Sequence, residues 1–285
     1  MFGWKKLNKL SSVPDRITEE VYEDKSLKVD LPDGSFLRFG NTQHQGRREY
    51  QEDSYGYSNL MNSELIDKKG VLAVLADGMG GLANGKDVSS YTVSAMIEYF
   101  NSPETLCRNG SHLRQWAEAI NKTICGRYSA DGKIHAGSTI VCAMIKDGTL
   151  HWLSVGDSRI YLKRKDKLYQ INEDNDYLNR LLGEAIFDET SVSSAFRDPQ
   201  KDVLVSCIGN PNLSEFDFSI DGMELQSGDK ILICSDGVYN ALPKRMLSEL
   251  LENDPHTSAQ RICDSVLNQN IRTQDNFTAI VISYN

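Results

Sequence analysis

Residues 140–155 read IVCAMIKDGTLHWLSV. Two apolar runs, Ile140–Ile145 and Leu150–Val155, stand on either side of Asp147-Gly148, a dipeptide suited to the positive φ values of a tight hairpin turn. A hairpin pairs its strands antiparallel, whereas a parallel pair needs a crossover of a dozen residues or more. Working outward, further strand-like runs are Phe36–Gln43, Ser54–Ser58, Val71–Ala76, a lead-in from Ser138 to Lys146, Ile160–Arg164, Phe216–Ile220, Ile231–Cys234 and Phe277–Ser283. Helical periodicity marks Asp87–Phe100, His112–Tyr128, Arg245–Leu251 and Ser258–Gln269. Two helices fall together mid-chain and two near the end. That order predicts an α+β fold with antiparallel sheets covered by helices, not a doubly wound parallel sheet.

The chain has 285 residues, with 31 Lys+Arg against 40 Asp+Glu, so its formal charge is 31 − 40 = −9. An acidic balance excludes nonspecific nucleic-acid binding, which needs a basic footprint. No apolar run approaches the roughly 18 residues of a membrane-spanning helix. The basic start, MFGWKKLNKL, lacks the apolar core of a signal peptide. Cys107, Cys125, Cys142, Cys207, Cys234 and Cys263 are widely spaced without a CxxC pair, which suits buried thiols in a reducing cytoplasm. The expected organisation is a polar extension over 1–34 and one domain over 35–285, monomeric and cytoplasmic.

Apolar strands in this chain end repeatedly in acid. Val71–Ala76 runs into Asp77-Gly78, residues 151–156 into Asp157, and Ile231–Ser235 into Asp236-Gly237; Asp275-Asn276 and Glu52-Asp53 each directly precede a strand. One such Asp is an ordinary turn residue. Five in one domain point to convergence at a common sheet edge, where crowded carboxylates repel unless they share protons or hold a cation. With no His or Cys beside them, the donor set is all oxygen, which suits Mg²⁺ or Mn²⁺ and disfavours zinc or copper. Two such ions would clamp a phosphoryl group, and Arg47 and Arg48, just upstream of Glu52-Asp53, supply guanidinium forks for phosphate oxygens.

Six segments, Arg48–Asp53 (REYQED), Ala76–Gly81 (ADGMGG), Ala136–Thr139 (AGST), Val155–Arg159 (VGDSR), Cys234–Gly237 (CSDG) and Gln274–Asn276 (QDN), resemble in order the motifs of the metal-dependent PP2C-type (PPM) serine/threonine phosphatases, compact bacterial members above all. The resemblance runs from about Phe36 to Ser283. It implies a β-sandwich of two antiparallel sheets flanked by α-helices on both faces, with two Mn²⁺ or Mg²⁺ ions at one end. It implies that Asp77 bridges the metals, that Asp236 and Asp275 complete one shell, and that Glu52 and the Gly78 carbonyl serve the other. Asp53 would order water, Arg48 would hold the substrate phosphate, and Asp157 would belong to a weaker third metal. The implied reaction is in-line attack on a phosphoserine or phosphothreonine monoester by a hydroxide bridging the two ions, without a phosphoenzyme. The implied partners are phosphorylated proteins and the Ser/Thr kinase that makes them.

The chain departs from the pattern at three places. Met79 stands where some members carry a His that protonates the leaving alkoxide, which leaves that proton to water. Asn240 replaces an acid four residues after Asp236, which weakens a third metal site. The variable flap, about 172–197, opens on Glu173-Asp174-Asn175-Asp176, expected to be a solvated charged loop. A competing nucleotide-binding reading comes from Gly80–Lys86, which satisfies GxxxxGK; Asp87 follows where a Ser or Thr hydroxyl is required, and Asp77 would repel the phosphates. Ser138 has no paired base and is not expected to be a nucleophile.

Overall fold

A computed structural model describes residues 26–79, 84–129, 131–184, 194, 196–200 and 204–285. The deciding segment folds as read. Strands β5 (Ile140–Lys146) and β6 (Thr149–Val155) pair antiparallel, and Asp147 (φ 48°) and Gly148 (φ 68°) turn the corner with positive φ at both positions.

The remaining strands are β1 (Leu27–Asp30), β2 (Phe36–His44), β3 (Ser54–Tyr57), β4 (Val71–Ala76), β7 (Arg159–Arg164), β8 (Lys167–Gln170), β9 (Asp217–Phe218), β10 (Met223–Glu224), β11 (Lys230–Cys234) and β12 (Phe277–Tyr284). They form two antiparallel sheets, ordered β1-β2-β12-β11-β7-β8 and β10-β6-β5-β4-β3, with β9 also on β6. Helices α1 (Ser63–Lys69), α2 (Gly85–Asn101), α3 (Gly110–Tyr128), α4 (Tyr177–Glu184), α5 (Asp236–Tyr239), α6 (Lys244–Leu250) and α7 (Pro255–Asn268) complete the described elements.

Strand β4 shows why the layers stack. All six residues are buried, and period-two alternation sends them to opposite faces. Val71, Ala73 and Leu75 join Val141, Ala143, Ile231, Ile233, Ile280 and Ile282 in the core between the sheets. Leu72, Val74 and Ala76 pack instead with Val88, Met96 and Phe100 of α2 and Leu113, Ile120 and Ile124 of α3. The other sheet does the same, with Leu232, Ala279 and Val281 against Leu247 of α6 and Ile262 and Val266 of α7. The result is the α-β-β-α sandwich.

The first sheet starts inside the segment read as an extension. Leu27–Asp30 pairs with Phe36–Phe39, and Val29 and Leu31 are buried between the sheets. Four residues with two apolar positions, set among charges, are too short to show strand periodicity. Residues 1–25 lie outside the described residues. Short elements without a long apolar stripe, α1 and β8 among them, were likewise absent from the sequence reading. No helix among the described residues is long and apolar enough to cross a membrane.

Candidate functional site

Register brings the acids to one end of the sandwich. Ser54 opposes Ala76, so Asp53 and Asp77 continue neighbouring strands past the same edge. Cys234 opposes both Arg159 and Ala279, which sets Asp236, Asp157 and the Asp275-Asn276 pair at the matching edge of the other sheet. Asp77 is pinned through its backbone: its N–H donates to Thr139 Oγ1 (2.9 Å) and its carbonyl accepts from Thr139 N–H (2.8 Å). Asp53 is completely buried and stitches the sheets together, with Oδ2 accepting from Ser235 Oγ (2.8 Å) and Thr278 Oγ1 (2.7 Å).

Burial and crowding raise every one of these carboxyls that shifts. Desolvation is the main cause for Asp77, which is pushed well above the usual carboxylate range, and the charges of Asp53, Asp236, Asp157 and Asp275 add to it. Asp236 is raised by burial and then by Asp157 and Asp275. Asp157 is pushed up to about 6 by burial and by Asp174. Asp53 rises with burial against the opposing pull of Thr278 and Ser235, and Glu52 rises mainly through burial.

The predicted residues converge on this end but do not meet at one point. Among the described residues no three acid, imidazole or thiol side chains close into a group that would hold a metal as they stand. Arg48 Nη2 lies 2.5 Å from Asp275 Oδ2, so the predicted phosphate holder and a predicted metal ligand pair with each other. The chemistry nevertheless fits a hard divalent cation. Asp53 Oδ1 and Asp236 Oδ1 are buried without any hydrogen-bond partner, the donors are all oxygen, and a cation would relieve the repulsion that raises their pKa. At Gly78 an added Cβ would fall 2.7 Å from the Glu52 carbonyl oxygen, so only glycine lets this backbone close on Glu52.

Residues outside the acid set also shape this end. Asn276 accepts from Glu52 N–H through Oδ1 (2.8 Å) and donates through Nδ2 to the carbonyls of Gln45 (2.8 Å) and Tyr50 (2.9 Å), fixing the loop that carries Arg48. Lys86 donates to the Asp53 carbonyl (2.9 Å) and to Ser54 Oγ (3.3 Å), a structural use of the lysine that the nucleotide-binding reading required; Gly80–Ala83 of that motif lie outside the described residues. Ser138 is buried and donates to the Thr139 carbonyl (2.8 Å), as suits a residue that is not a nucleophile. Met79 lies beside the site, its N–H donating to the Gly137 carbonyl (3.0 Å). Asn240 Nδ2 donates to Asp236 Oδ2 (3.3 Å).

The start of the flap is not the solvated loop expected. Asp174 is buried, gripped by Arg159 Nη2 (2.6 Å) and Nε (2.9 Å) and by Gln170 Nε2 (2.7 Å). The Arg159 guanidinium also lies 3.6 Å from the centroid of the Tyr239 ring. A full counter-charge with fork geometry allows the acid to leave water. Residues 185–193 and 195 of the flap are outside the described residues.

Residues 42–272, most of the chain, match the family described as Protein phosphatase 2C. The chain belongs to the protein phosphatase 2C family. The serine/threonine phosphatase stp of Listeria innocua is 26% identical over 243 residues, covering 84% of this chain and 92% of the relative. PstP of Mycobacterium tuberculosis, a serine/threonine protein phosphatase, is 27% identical over 228 residues, which are 79% of this chain and 43% of that longer protein. The solved serine/threonine phosphatase of S. agalactiae superposes with a TM-score of 0.70 at 25% identity, covering 87% of this chain and 99% of that one. The catalytic domain of PstP, solved in complex with two manganese ions, superposes with a TM-score of 0.67 at 24% identity, over 88% and 99% of the two chains. The enzyme class read from the sequence, a phosphoprotein phosphatase, is the class of the family and of these relatives.

Proposed function

We propose that this protein 2C phosphatase hydrolyses phosphoserine and phosphothreonine monoesters on proteins modified by a Ser/Thr kinase, as a monomeric cytoplasmic enzyme using two Mn²⁺ or Mg²⁺ ions. The observation that carries the reading is the pair of buried, unbonded carboxylate oxygens, Asp53 Oδ1 and Asp236 Oδ1, among further acids at one sandwich end, beside the Arg48 guanidinium. The two-manganese complex of the PstP catalytic domain supports the choice of ion. Asp77, Asp236, Asp275, Glu52 and the Gly78 carbonyl would hold the pair, with Asp157 toward a weaker third ion. When bound, such ions lower the pKa of water and neutralise charge on the phosphoryl oxygens.

The chain's own residues do the remaining work. Arg48 holds a carboxylate at 2.5 Å and offers the same fork to the tetrahedral phosphate, orienting it for in-line attack. Asp53, its Oδ2 locked by Ser235 and Thr278, presents Oδ1 in a fixed direction toward the site and orders the attacking water. The test is p-nitrophenyl phosphate hydrolysis with added Mn²⁺. Turnover that chelator abolishes and Mn²⁺ restores is the expected result; a wild-type protein inactive at high Mn²⁺ removes the reading.

A further inference from the structure

The loop between β2 and β3 is tied down along its backbone yet turns its side chains outward. Gln45 Nε2 donates to the carbonyls of Arg48 and Glu49, both at 2.8 Å. Gly46 N–H donates to His44 Nδ1 (2.9 Å), and Arg47 N–H to the Gln274 carbonyl (2.8 Å). With the two bonds from Asn276 already described, residues 45–50 are held at almost every position. Tyr50 is nevertheless 67% exposed, and Arg47 and Arg48 are exposed beside it. A preorganised backbone removes the cost of ordering the loop on binding, and Tyr and Arg are enriched in recognition hot spots.

Charge sets the same loop apart. Arg48, Arg114, Arg159, Arg164 and Arg245 each pair with a carboxylate. Arg47 meets only the neutral Asn270 Oδ1 (3.2 Å) among the described residues, which leaves most of its N–H groups for a ligand. Exposed Arg272 lies on the same neighbouring loop, two residues from Asn270 and two from Gln274, both of which touch Arg47; no described carboxylate pairs with it. The one acid on the 45–50 loop, Glu49, is turned to the Tyr50 hydroxyl (3.0 Å). Arg47 and Arg272, neither paired with a described carboxylate, therefore lie on the loop that carries Arg48 and on the loop against it, in a protein of net charge −9.

We infer that Arg47, Arg272 and Tyr50 form a subsite for the acidic flank of a phosphorylated peptide, the arginines pairing with a carboxylate next to the phosphoresidue and the Tyr50 ring supporting the peptide chain. The inference rests on the reading of Arg48 as the phosphate holder. It is tested with two phosphoserine peptides of equal length, one flanked by Glu and one by Gln, on the wild type and on the Arg47→Gln/Arg272→Gln double variant. The wild type is expected to favour the Glu peptide about five-fold in kcat/KM at low salt, through KM, from two exposed charge pairs. The double variant brings the ratio to within about two-fold of unity. The ratio of two peptides on one protein is unaffected by how much of a variant is folded. A wild type indifferent to the flank, or a double variant that keeps the preference, overturns the subsite. Absence of Mn²⁺-dependent p-nitrophenyl phosphate turnover in the wild type overturns instead the phosphatase reading beneath it.

Discussion

The protein buries carboxylates in two contrasting ways. Asp229, at the turn into β11, is almost wholly buried and fully engaged: Arg164 donates to it through Nε (2.9 Å) and Nη2 (2.6 Å), and Gln226 N–H through a third bond (2.8 Å). Asp174 is engaged in the same manner by Arg159. At the sandwich end, buried Asp53 and half-buried Asp236 each keep one buried oxygen unbonded, and their neighbours are further acids. An acid satisfied by an arginine fork serves the fold. An acid left unsatisfied among like charges strains it, and such unmet demand marks a functional site.

The sharpest way to break that comparison is Asp77→Asn. Removing the acid proposed to bridge the two cations should lower kcat for p-nitrophenyl phosphate by at least about a hundred-fold, on the scale of losing a central electrostatic group. In chelator the same variant should melt at or above the wild-type temperature, because one buried carboxylate in the crowd has been neutralised. Asp229→Asn should do the reverse. It strips the counter-charge from Arg164 and costs about 3 kcal/mol of stability by denaturant titration, while activity per folded molecule is retained. A variant of Asp77 that unfolds the protein, or one of Asp229 that abolishes turnover in folded protein, would erase the distinction.

Next in size is the response to metal. Mn²⁺ at about a hundred times its dissociation constant should stabilise the wild type by about 2.7 kcal/mol, read as a rise in melting temperature. The Asp77→Asn variant should gain clearly less, and Asp229→Asn should gain as much as the wild type. Equal gains in all three proteins would mean that Mn²⁺ binds elsewhere.

The two kinds of buried acid were unequally legible in the sequence. Strand-terminal acids stand out because β4 is a continuous apolar run and β6 and β11 are largely apolar, so the acid after each is conspicuous, and antiparallel register carries them to one edge. Asp174 was read as solvated because its partner Arg159 is 15 residues away and the fork exists only after β7 and the flap come together. The sandwich was visible in the hairpin at Asp147-Gly148 and in the alternation of β4, whereas β1 and α1 were invisible because short elements owe their form to tertiary packing. Asn276 was quoted only as part of a motif. Its grip on Gln45, Tyr50 and Glu52 is a set of contacts across more than 220 residues of chain, which no local pattern encodes.

A third acid, exposed and engaged only by its own helix, sets the lower limit of the comparison. Asp254 precedes Pro255 at the start of α7, and its Oδ1 accepts from Thr257 N–H (3.1 Å), satisfying one donor that a helix start leaves open. Hydrogen bonding from Thr257, its side chain first and its backbone N–H after, holds the Asp254 pKa below the ordinary Asp value. Asp254→Ala should therefore cost about 1 kcal/mol, less than the loss of Asp229, with no effect on turnover or on the Mn²⁺ shift. The sign of its pH dependence follows from the lowered pKa. The cap's electrostatic contribution is complete above the unfolded-state pKa near 4 and fades as pH falls through the lower folded-state value. The stability gap between wild type and Asp254→Ala, followed by denaturant titration, should hold steady from pH 7 to about 5 and shrink below about 4. A gap that widens on acidification would show that Asp254 stabilises the chain by something other than its charged cap.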